Sequence, residues 1–569
     1  MSSGRLKTYV QSKLQSREDQ VFLALALVIG VLTGLAVVAF ILVTERAGMR
    51  LYPPNAARWR RLAFPLGGSI LIGYLLYKYF PFARGSGVPQ TKAALYARDG
   101  RITLRTIIGK FLCTSATLAS GIPLGREGPS VQVGAGIASV LGRNLGLRPE
   151  KVKALIPVGA AAAIAAAFNT PMAAVLFALE EIVGDLHAPV LGSVVLASAA
   201  AWITLHLFLG NTPLFKVPAY QLVSPWEFAI YAVLGIAGGV VSVAFTETLL
   251  HMRRRFLRLS PKTAWLQPAA GGVVVGISAW FVPQVLGVGY SYVGDALNSY
   301  MALKLMLLLI LLKFITVTTS YASGNAGGIF APALFIGAML GGSLGTFAHQ
   351  FFPAHTASPG AYALVGMGTL FAGIIRAPMT SVVMIFEMTR DYNVIVPLMI
   401  SNLISLFIAS RLQPKPIYEA LSEQEGIHLP TAESRNRSAD RQVARIMRSS
   451  AQSLSAETSA REALAEFRTS KFNTLLVTDN SKLIGVINLP DLEKTNAISR
   501  EQKLRDLIDP LDFPHVHPDH SLDHALHRMG TNHLDILPVV NRADIHKLEG
   551  VVTLQDVLDA YGVVHPDQD

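Results

Sequence analysis

A succession of apolar segments, running from about residue 20 to residue 411, limits the folds open to this chain more than any other feature. Several segments are shorter than the ~20 residues that a straight membrane-spanning helix needs. Many are interrupted by Gly or Pro, as at Gly121-Ile122-Pro123 and Asn169-Thr170-Pro171. Short, interrupted helices are typical of transporters and channels, where half-helices point their ends at a central ligand. The sequence therefore predicts a polytopic α-helical membrane protein with many broken or tilted helices.

Charge is scarce in this chain. Only 15% of the residues are charged, against roughly a quarter in a soluble protein, and 51% are hydrophobic. The net charge of +11 could favour nucleic acid, but basic loops facing anionic lipid explain it in a membrane protein. We therefore expect the lipid bilayer as a partner and no nucleic acid. Cys113 is the single cysteine, so no disulfide can form within the chain.

The first 20 residues are basic, with Arg5, Lys7, Lys13 and Arg17, and they precede an apolar run at 21–43. That run is longer than the core of a signal peptide, so we interpret it as a spanning helix. Positive charge before the first span favours a cytoplasmic N-terminus. The expected location is a bacterial-type inner or plasma membrane, crossed many times, with residues 1–19 as a cytoplasmic segment.

An internal repeat relates the two halves of the apolar region at an offset of 207 residues. The matched pairs are Gly121-Ile122 with Gly328-Ile329, Gly134 with Gly341, Val158-Gly159 with Val365-Gly366, Pro171-Met172 with Pro378-Met379, and Glu180 with Glu387. Two structural halves are expected, with a ligand site where they meet. The offset does not distinguish parallel from inverted halves.

The stretch Gly125-Arg126-Glu127-Gly128-Pro129 places two charges in sequence that is otherwise nearly uncharged. An ionisable residue inside the bilayer is costly and is usually functional. The alternative is an interfacial loop, in which Arg126 and Glu127 are simply hydrated. The glycines and Pro129 favour a turn or a helix start, with free backbone N–H groups near Glu127.

The composition changes after Arg411, where residues 412–440 become polar, as in a linker. Residues 441–562 contain a second repeat at an offset of 65, in which Lys482-Leu483-x-Gly485-Val486-Ile487-x-Leu489-x-Asp491 matches Lys547-Leu548-x-Gly550-Val551-Val552-x-Leu554-x-Asp556. We predict two small α/β units packed as a pair. The expected domains are 20–420 (membrane domain), 421–440 (linker), 441–500 (first α/β unit) and 501–569 (second unit and tail).

Seven histidines crowd the second of these units: His515, His517, His520, His524, His527, His533 and His546. With Asp519 nearby a metal site is conceivable, but the spacing fits no familiar pattern, so no metal is expected. A pH-sensitive surface and ordinary solvated loop histidines are the remaining interpretations.

Three motifs and a late tyrosine together resemble the CLC family of chloride channels and proton-coupled chloride transporters. They are Gly85-Ser86-Gly87-Val88-Pro89, Gly125 to Pro129, Gly327-Gly328-Ile329-Phe330-Ala331-Pro332, and Tyr418 in Lys415-Pro416-Ile417-Tyr418. The match runs from about residue 20 to residue 420, in the family's order and spacing. It implies the CLC fold, a homodimer, and chloride and protons as the transported ions. The C-terminal part resembles a CBS pair, which we expect to be cytoplasmic.

The resemblance assigns chloride binding to Ser86, Arg126, Glu127, Gly128, Ile329, Phe330 and Tyr418. A conducted anion must be held without a full buried positive charge, or it would not leave. Hydroxyl groups and helix N-termini meet that need, because a helix start offers unpaired N–H groups and about half a positive charge. Ser86 and Tyr418 supply hydroxyls, although each alone could be a packed serine or an interfacial anchor. The family's central serine goes with chloride.

Two carboxylates have separate roles in the resemblance. Glu127 matches the gating glutamate, which competes with chloride for an anion site until a proton neutralises it. Glu181 matches the internal proton acceptor of exchangers; the alternative is a helix end that reaches water. Glu180 is expected to be structural, since the repeat pairs it with Glu387. Lys110 also matches a family lysine, with a local electrostatic role.

The leading hypothesis is a Cl⁻/H⁺ exchanger gated by Glu127, with Glu181 as its internal proton acceptor. A passive chloride channel is the alternative within the same fold. A CBS-regulated cation or osmolyte transporter would need acidic ligands in its spans, and few are present. No nucleophile–base or metal-ligand constellation supports an enzyme, so no enzymatic activity is expected.

CBS pairs usually bind adenosine-containing ligands, with the Asp of a Gly-h-h-Thr-x-x-Asp signature on the ribose. Gly550, Thr553 and Asp556 fit that signature, whereas the first unit has Asn488 in place of Thr before Asp491. An adenosine nucleotide is therefore a possible ligand, with the first site in doubt, and a purely structural pair is the alternative. Transport itself requires no cofactor.

Overall fold

The computed structural model describes residues 18–53, 55–186, 189–211, 213–218, 220–427, 442–449, 452–470, 472–480, 482–493, 501–509, 513–542 and 544–561. The chain divides into two compact units, Met1–Leu429 and Pro430–Asp569. Most of the predicted N-terminal segment and of the predicted linker lies outside the described residues.

The first unit is helical, and its described residues form two sets of eight helices. The first set is α1 (Glu18–Leu51), α2 (Arg60–Lys78), α3 (Val88–Ala97), α4 (Leu104–Ala119), α5 (Glu127–Asn144), α6 (Pro149–Phe168), α7 (Pro171–Phe177) and α8 (Leu191–Leu209). The second set is α9 (Glu227–Leu257), α10 (Pro268–Phe281), α11 (Tyr290–Leu297), α12 (Leu303–Ser323), α13 (Phe330–Phe351), α14 (Pro359–Ile375), α15 (Pro378–Thr389) and α16 (Ile395–Leu412). A last helix, α17 (Ile417–Gln424), follows both sets.

Proline sets several of the helix starts in both halves. Pro149, Pro171, Pro359 and Pro378 each occupy the first position of a helix, where a missing N–H costs no hydrogen bond. The same local chemistry thus defines equivalent helices in both sets, and the predicted two repeated halves are present.

Beyond residue 158 the repeat has the predicted offset of 207. Asn169 and Arg376 end α6 and α14 in the left-handed conformation, with φ of 61° and 66°. Asn tolerates this conformation well, whereas Arg adopts it less readily. Proline follows two residues later in each half, and it prevents the helix from continuing.

The earlier part of the repeat has a different register, so the matches of Gly121 with Gly328 and of Gly134 with Gly341 were wrong. Gly121 and Gly324 both follow a helix, α4 and α12, with φ of 90° and 99°, which gives an offset of 203. The change of four residues equals the difference in length between α5, with 18 residues, and α13, with 22. One extra helical turn therefore separates the two registers.

Close helix packing explains part of the glycine content. A Cβ added to Gly134 would collide with the carbonyl oxygen of Gly159, and one on Gly337 would collide with that of Gly366. Glycine at these points lets α5 meet α6, and α13 meet α14, backbone to backbone.

Seven helical stretches in the described residues are long and apolar enough to cross a membrane. They are Gln20–Leu51, Pro149–Phe168, Leu191–Leu209, Glu227–Leu257, Leu303–Ser323, Phe330–Phe351 and Ile395–Gln424. Pro268–Phe281 and Pro359–Ile375 are apolar but shorter. This mixture of complete and short helices is what the interrupted apolar segments predicted.

The second unit contains two small α/β layers. In the first, β1 (Ser453–Ser455) pairs in parallel with β2 (Thr474–Asp479), which pairs antiparallel with β3 (Lys482–Asn488); helices α18 (Ala460–Phe467) and α19 (Leu489–Glu493) accompany them. In the second, β4 (Ile536–Val540) pairs antiparallel with β5 (Leu548–Thr553), beside α20 (Leu522–Asn532) and α21 (Leu554–Ala560). The strands carry buried β-branched and leucine side chains, which form a small core in each layer and a further cluster that joins the two layers.

Candidate functional site

Two helix starts, one from each half of the first unit, meet at a pair of backbone hydrogen bonds. The N–H of Gly125 donates to the carbonyl oxygen of Gly328 at 2.7 Å, and the N–H of Gly328 donates back to Gly125 at 2.7 Å. Helix α5 begins at Glu127 and α13 begins at Phe330, just after this bridge. The first N–H groups of both helices are thereby placed in the buried interior, where they can bind an anion.

The Ser86 loop packs against the same place. Gly87 has a φ of 106° and is so close to the carbonyl of Gly128 that a Cβ would collide with it. Lys110, which is fully buried on α4, donates to the carbonyl oxygens of Ala83 at 2.9 Å and Gly85 at 2.7 Å. Lys110 therefore holds the loop that presents Ser86.

Two hydroxyls in this region have no hydrogen-bond partner in the described part of the chain. Ser86 Oγ and the Tyr418 hydroxyl are both buried and unpaired, and Ser86 also lies near the hydroxyl of Tyr321. An unpaired buried hydroxyl is costly unless a ligand satisfies it. Both hydroxyls were predicted to lie in an anion path, and this stays a prediction.

Ile329 and Phe330 lie at the start of α13. Both side chains are completely buried. The Phe330 ring packs against three others, with centroid distances of 5.0 Å to Phe168, 5.6 Å to Phe177 and 4.5 Å to Phe371. This aromatic cluster fixes the start of α13, so the N–H groups of its first turn have a defined direction.

The carboxylate of Glu127 lies at that helix start. Glu127 is fully buried, and its Oε1 accepts a hydrogen bond from the Tyr290 hydroxyl. Its Oε2 lies against Gly125 and has no hydrogen-bond partner among the described residues. The carboxylate is also close to the N–H of Ala331 in the first turn of α13. The side chain thus occupies space that an anion at the N-terminus of α13 would use.

Arg126 does not form an ion pair with its neighbour Glu127 in the described residues. Its guanidinium lies 5.5 Å from the centre of the Tyr290 ring and 3.6 Å from Glu45, measured from Nη1 to Oε1. The Arg126 carbonyl accepts from the N–H and hydroxyl of Ser130 at 2.9 Å each, as the first bonds of α5. The charged part of Arg126 therefore orients Tyr290, while its backbone and that of Gly128 form the helix start.

Glu181 lies in a single π-helical turn, Ala178–Val183, which continues α7. Its Oε1 pairs with Nζ of Lys92 at 2.8 Å, and the two side chains are only 7% and 4% exposed. Such π-helical turns are frequent at functional sites. The alternative of a hydrated helix end does not describe this residue, because Glu181 is buried in an ion pair.

Glu180 and Glu387 perform the structural role that the repeat predicted. Glu180 accepts from the N–H groups of Met379 at 3.2 Å and Thr380 at 2.8 Å, in the first turn of α15. Glu387 accepts from Met172 at 3.0 Å and Ala173 at 2.8 Å, in the first turn of α7. Each half thus caps a helix of the other, and the pair of contacts has two-fold symmetry.

Sequence reasoning missed Tyr290 and Lys92, which contact Glu127 and Glu181, the two glutamates predicted to be functional. It also missed Lys313, a buried lysine that donates to the carbonyl of Gly287 at 2.6 Å. The signal was available for Lys313, because the offset of 203 places it opposite Lys110. No repeat or motif marks Lys92, because a lysine seven residues after Gly85 is an ordinary helix residue in the sequence.

The two aspartates of the CBS-like unit, Asp491 and Asp556, have different surroundings. Thr553 and Asp556 cap α21 reciprocally, and Asp556 Oδ1 also accepts from Arg448 Nε at 3.0 Å. A cavity of about 300 Å³ lies between the two layers, lined by Asn488 and Asp491 of the first layer and by Asn532 and Leu534 of the second, among others. Asp491, whose site was in doubt, is thus one of the residues that line this cavity.

The histidines form a row of rings. Centroid distances are 5.3 Å from His515 to His517, 4.9 Å from His517 to His520 and 4.4 Å from His520 to His524. Partial burial and the neighbouring histidines lower the pKa of His520 and of His524. Asp519 is paired with Arg542 at 2.7 Å, and the described residues contain no group of His, Cys, Asp and Glu suited to a metal.

The family of the chain follows from comparison with known proteins. The model described as voltage gated chloride channel matches residues 68–410, and the CBS domain model matches residues 443–495 and 504–563. The chain therefore belongs to the voltage gated chloride channel family and ends in two CBS repeats. It is an integral, multi-pass membrane protein, and the predicted fold class is confirmed.

Its relatives include both channel and exchanger names. A ClcB-like chloride channel protein of Ralstonia nicotianae is 33% identical over 383 residues, covering 66% of this chain and 89% of the relative. The H(+)/Cl(-) exchange transporter ClcA of Vibrio campbellii is 32% identical over 370 residues, covering 64% and 79%. A slow cyanobacterial Cl⁻/H⁺ antiporter of known structure has a TM-score of 0.67 and 28% identity, covering 71% of this chain and 97% of its own. A eukaryotic CLC transporter covers 94% and 97% with a TM-score of 0.61, and at 21% identity it shows the fold alone.

Proposed function

We propose that this chain moves chloride across the membrane in exchange for protons. The observation that carries the proposal is the Glu127 carboxylate, which is fully buried at the N-terminus of α13. The unpaired hydroxyls of Ser86 and Tyr418 belong to the same path. A negatively charged side chain in a site built for anions is a competitor of the transported anion.

Chloride binding in this proposal uses partial charges. The hydroxyls of Ser86 and Tyr418 and the N–H groups at the starts of α5 and α13 are donors without formal charge. Such donors bind an anion strongly enough to remove its water and weakly enough to release it. Arg126 contributes through its backbone, because its side chain is engaged with Tyr290 and Glu45.

Glu127 couples the proton to the anion. While ionised, the carboxylate occupies the position at the start of α13, and chloride is excluded from it. When a proton neutralises the carboxylate, the attraction to the helix N-terminus is lost and the side chain can leave. Proton binding and chloride binding are then linked, as reciprocal coupling between two sites requires.

Glu181 supplies the second proton site of the exchanger. It is buried and close to Lys92, so it can accept a proton delivered from one side and pass it towards Glu127. Relay through buried carboxylates is the usual function of such residues within membrane proteins. The N-terminus and the CBS pair are taken to face the cytoplasm, and the working unit is taken to be a homodimer.

The test is simultaneous measurement of chloride and proton flux from purified protein in liposomes. Wild-type protein should drive protons uphill when only a chloride gradient is imposed. Glu127→Ala should keep chloride flux and lose proton movement, and Glu181→Gln should also lose proton movement. Glu150→Gln, at an exposed helix start, serves as a matched control and should behave as wild type.

A passive chloride channel is the competing function, because one relative is named as a chloride channel protein. It predicts a reversal potential that follows chloride alone under any proton gradient. If a Glu181→Gln variant still pumps protons uphill, the role proposed for Glu181 is wrong. The proposal of chloride transport is not affected by that result.

We also propose that the CBS pair binds an adenosine nucleotide in the cavity between its two layers. Support comes from the cavity of about 300 Å³ beside Asn488 and Asp491, a volume at the lower end of the range for small-molecule sites. Asp556, by contrast, is engaged by Thr553 and Arg448.

A further inference from the structure

Tyr290 is the group that holds the Glu127 carboxylate. It is the first residue of α11, and its hydroxyl donates to Oε1 of Glu127. Its ring is fixed on two sides, by Phe215 with a centroid distance of 6.0 Å and by the Arg126 guanidinium at 5.5 Å. The hydroxyl therefore has a defined direction towards Glu127.

The loop before Tyr290 is the second-half equivalent of the Ser86 loop. Gly85-Ser86-Gly87 precedes α3, and Gly287-Val288-Gly289 precedes α11, with all four glycines at positive φ. A buried lysine donates a hydrogen bond to a backbone carbonyl of each loop. Lys110 donates to Gly85 at 2.7 Å, and Lys313 donates to Gly287 at 2.6 Å.

The two loops differ in where their hydroxyl is placed. Val288 stands at the position of Ser86 and has no hydroxyl, whereas Tyr290, two residues later, carries one. The Ser86 hydroxyl is unpaired, and the Tyr290 hydroxyl is bound to Glu127. The Ser86 loop therefore has a hydroxyl donor for the anion. The equivalent loop before Tyr290 has a hydroxyl donor for the Glu127 carboxylate, which competes with the anion.

We propose that Tyr290 is a positioning residue for Glu127, whose hydroxyl holds the ionised carboxylate at the start of α13 and so sets the pH at which chloride transport turns on. This inference rests on the proposed function, in which Glu127 is the gating group. The charged and titratable groups around the pair are Arg126, which precedes α5, Tyr418 from α17, Glu45 from α1 and Lys313 from α12, which binds the loop before Tyr290.

The direction of the expected pH shift follows from which form of Glu127 the Tyr290 hydroxyl binds more strongly. A hydroxyl donates more strongly to a carboxylate than to a carboxylic acid, so it favours the ionised, blocking form. Removing the hydroxyl should make Glu127 easier to protonate and easier to displace. Chloride flux should then rise at a higher pH than in wild type.

The experiment is chloride efflux from liposomes across a pH series, with the full chain and the variants Tyr290→Phe and Tyr292→Phe. Phe keeps the ring contacts with Phe215 and Arg126. The pH of half-maximal flux should move upward by about one unit in Tyr290→Phe, corresponding to a roughly tenfold change in proton affinity. Tyr292→Phe removes a hydroxyl from the same helix that does not contact Glu127, and its profile should match wild type.

The Glu127→Ala background separates this inference from the proposed function. If Glu127→Ala keeps the wild-type pH profile and proton coupling, the proposed function is wrong. If Glu127→Ala loses them but Tyr290→Phe coincides with wild type, only the role of Tyr290 is wrong. Adding Tyr290→Phe to Glu127→Ala should change the chloride flux less than twofold. If the double variant instead changes the flux as much as Tyr290→Phe does in the wild-type background, Tyr290 acts elsewhere and the inference is wrong.

Discussion

Glu127 and Glu181 are both buried carboxylates of the first unit, yet their surroundings differ in kind. Glu127 has a neutral hydroxyl and a helix N-terminus as neighbours, and one of its oxygens is unpaired. Glu181 is held by the ammonium group of Lys92 at 2.8 Å. Partial charges let a side chain leave when it is neutralised, whereas a buried ion pair fixes its member in place. We therefore propose that Glu127 is the moving carboxylate and Glu181 the stationary one.

The CBS unit shows a similar contrast between its two repeats. Asp556 is tied by Arg448 and by its capping contacts with Thr553, whereas Asp491 lines a cavity. Asp491 and Asp556 occupy the same position in the two CBS repeats, whereas Glu127 and Glu181 both belong to the first half of the helical unit and are not copies of one another. The motif alone does not distinguish the two aspartates, since Asp556 has the better signature.

The largest effect is expected from Lys92→Met, which leaves Glu181 buried without its cation. Removing one partner of a buried ion pair typically costs ~3–5 kcal/mol of stability. The thermal unfolding midpoint of the detergent-solubilised protein should fall by several degrees. The double variant Lys92→Met with Glu181→Gln should recover most of the loss, because no unpaired charge remains. Equal stability of Lys92→Met and wild type would mean that the ion pair does not fix Glu181.

The glutamates themselves should differ when each is neutralised. Glu181→Gln leaves Lys92 unpaired and should lower stability by roughly 3 kcal/mol. Glu127→Gln removes a charge that has no ion-pair partner in the described residues, so its stability should stay within about 1 kcal/mol of wild type. Denaturation curves of the two variants, measured side by side, check this difference. Similar losses in both would remove the distinction between a moving and a fixed carboxylate.

The smallest effect concerns the CBS pair. Asp491→Asn should weaken binding of ATP by about tenfold, or ~1.4 kcal/mol, because Asp491 lines the cavity. Asp556→Asn should change the affinity less than twofold, since that carboxylate is already engaged. Titration calorimetry with the full chain measures both values. If Asp556→Asn weakens ATP binding more than Asp491→Asn does, the ligand site lies in the second repeat. If the wild-type protein binds no ATP, a purely structural CBS pair is favoured.

Much of the architecture could be predicted from the sequence because its signals are local. Apolar length, proline at helix starts and the Gly-rich breaks define the helices, and the repeat defines two halves. The positions of Ser86, Glu127 and Tyr418 followed from motifs. The structure places these three in the buried interior of the same helical unit. The reciprocal role of Glu180 and Glu387 was foreseen because both copies keep the same residue.

The partners of the two functional glutamates could not be predicted in the same way. Tyr290 reaches Glu127 across 163 positions and Lys92 reaches Glu181 across 89, and no local pattern encodes such contacts. The single offset of 207 also concealed the equivalence of the Ser86 and Tyr290 loops. An extra turn in α13 changes the register, and only the three-dimensional pairing of Gly125 with Gly328 reveals it.

The exchange of helix caps between Glu180 and Glu387 has a consequence for how such a chain could arise and assemble. Neither half can satisfy its own α7- or α15-type helix start, because the capping carboxylate comes from the other half. A polypeptide with only one half of the first unit could cap that helix only by pairing with a second copy of itself. Joining two such copies end to end would preserve every capping contact. The present chain therefore has the internal geometry of a fused dimer, and its two halves should be able to reassemble when expressed as separate polypeptides.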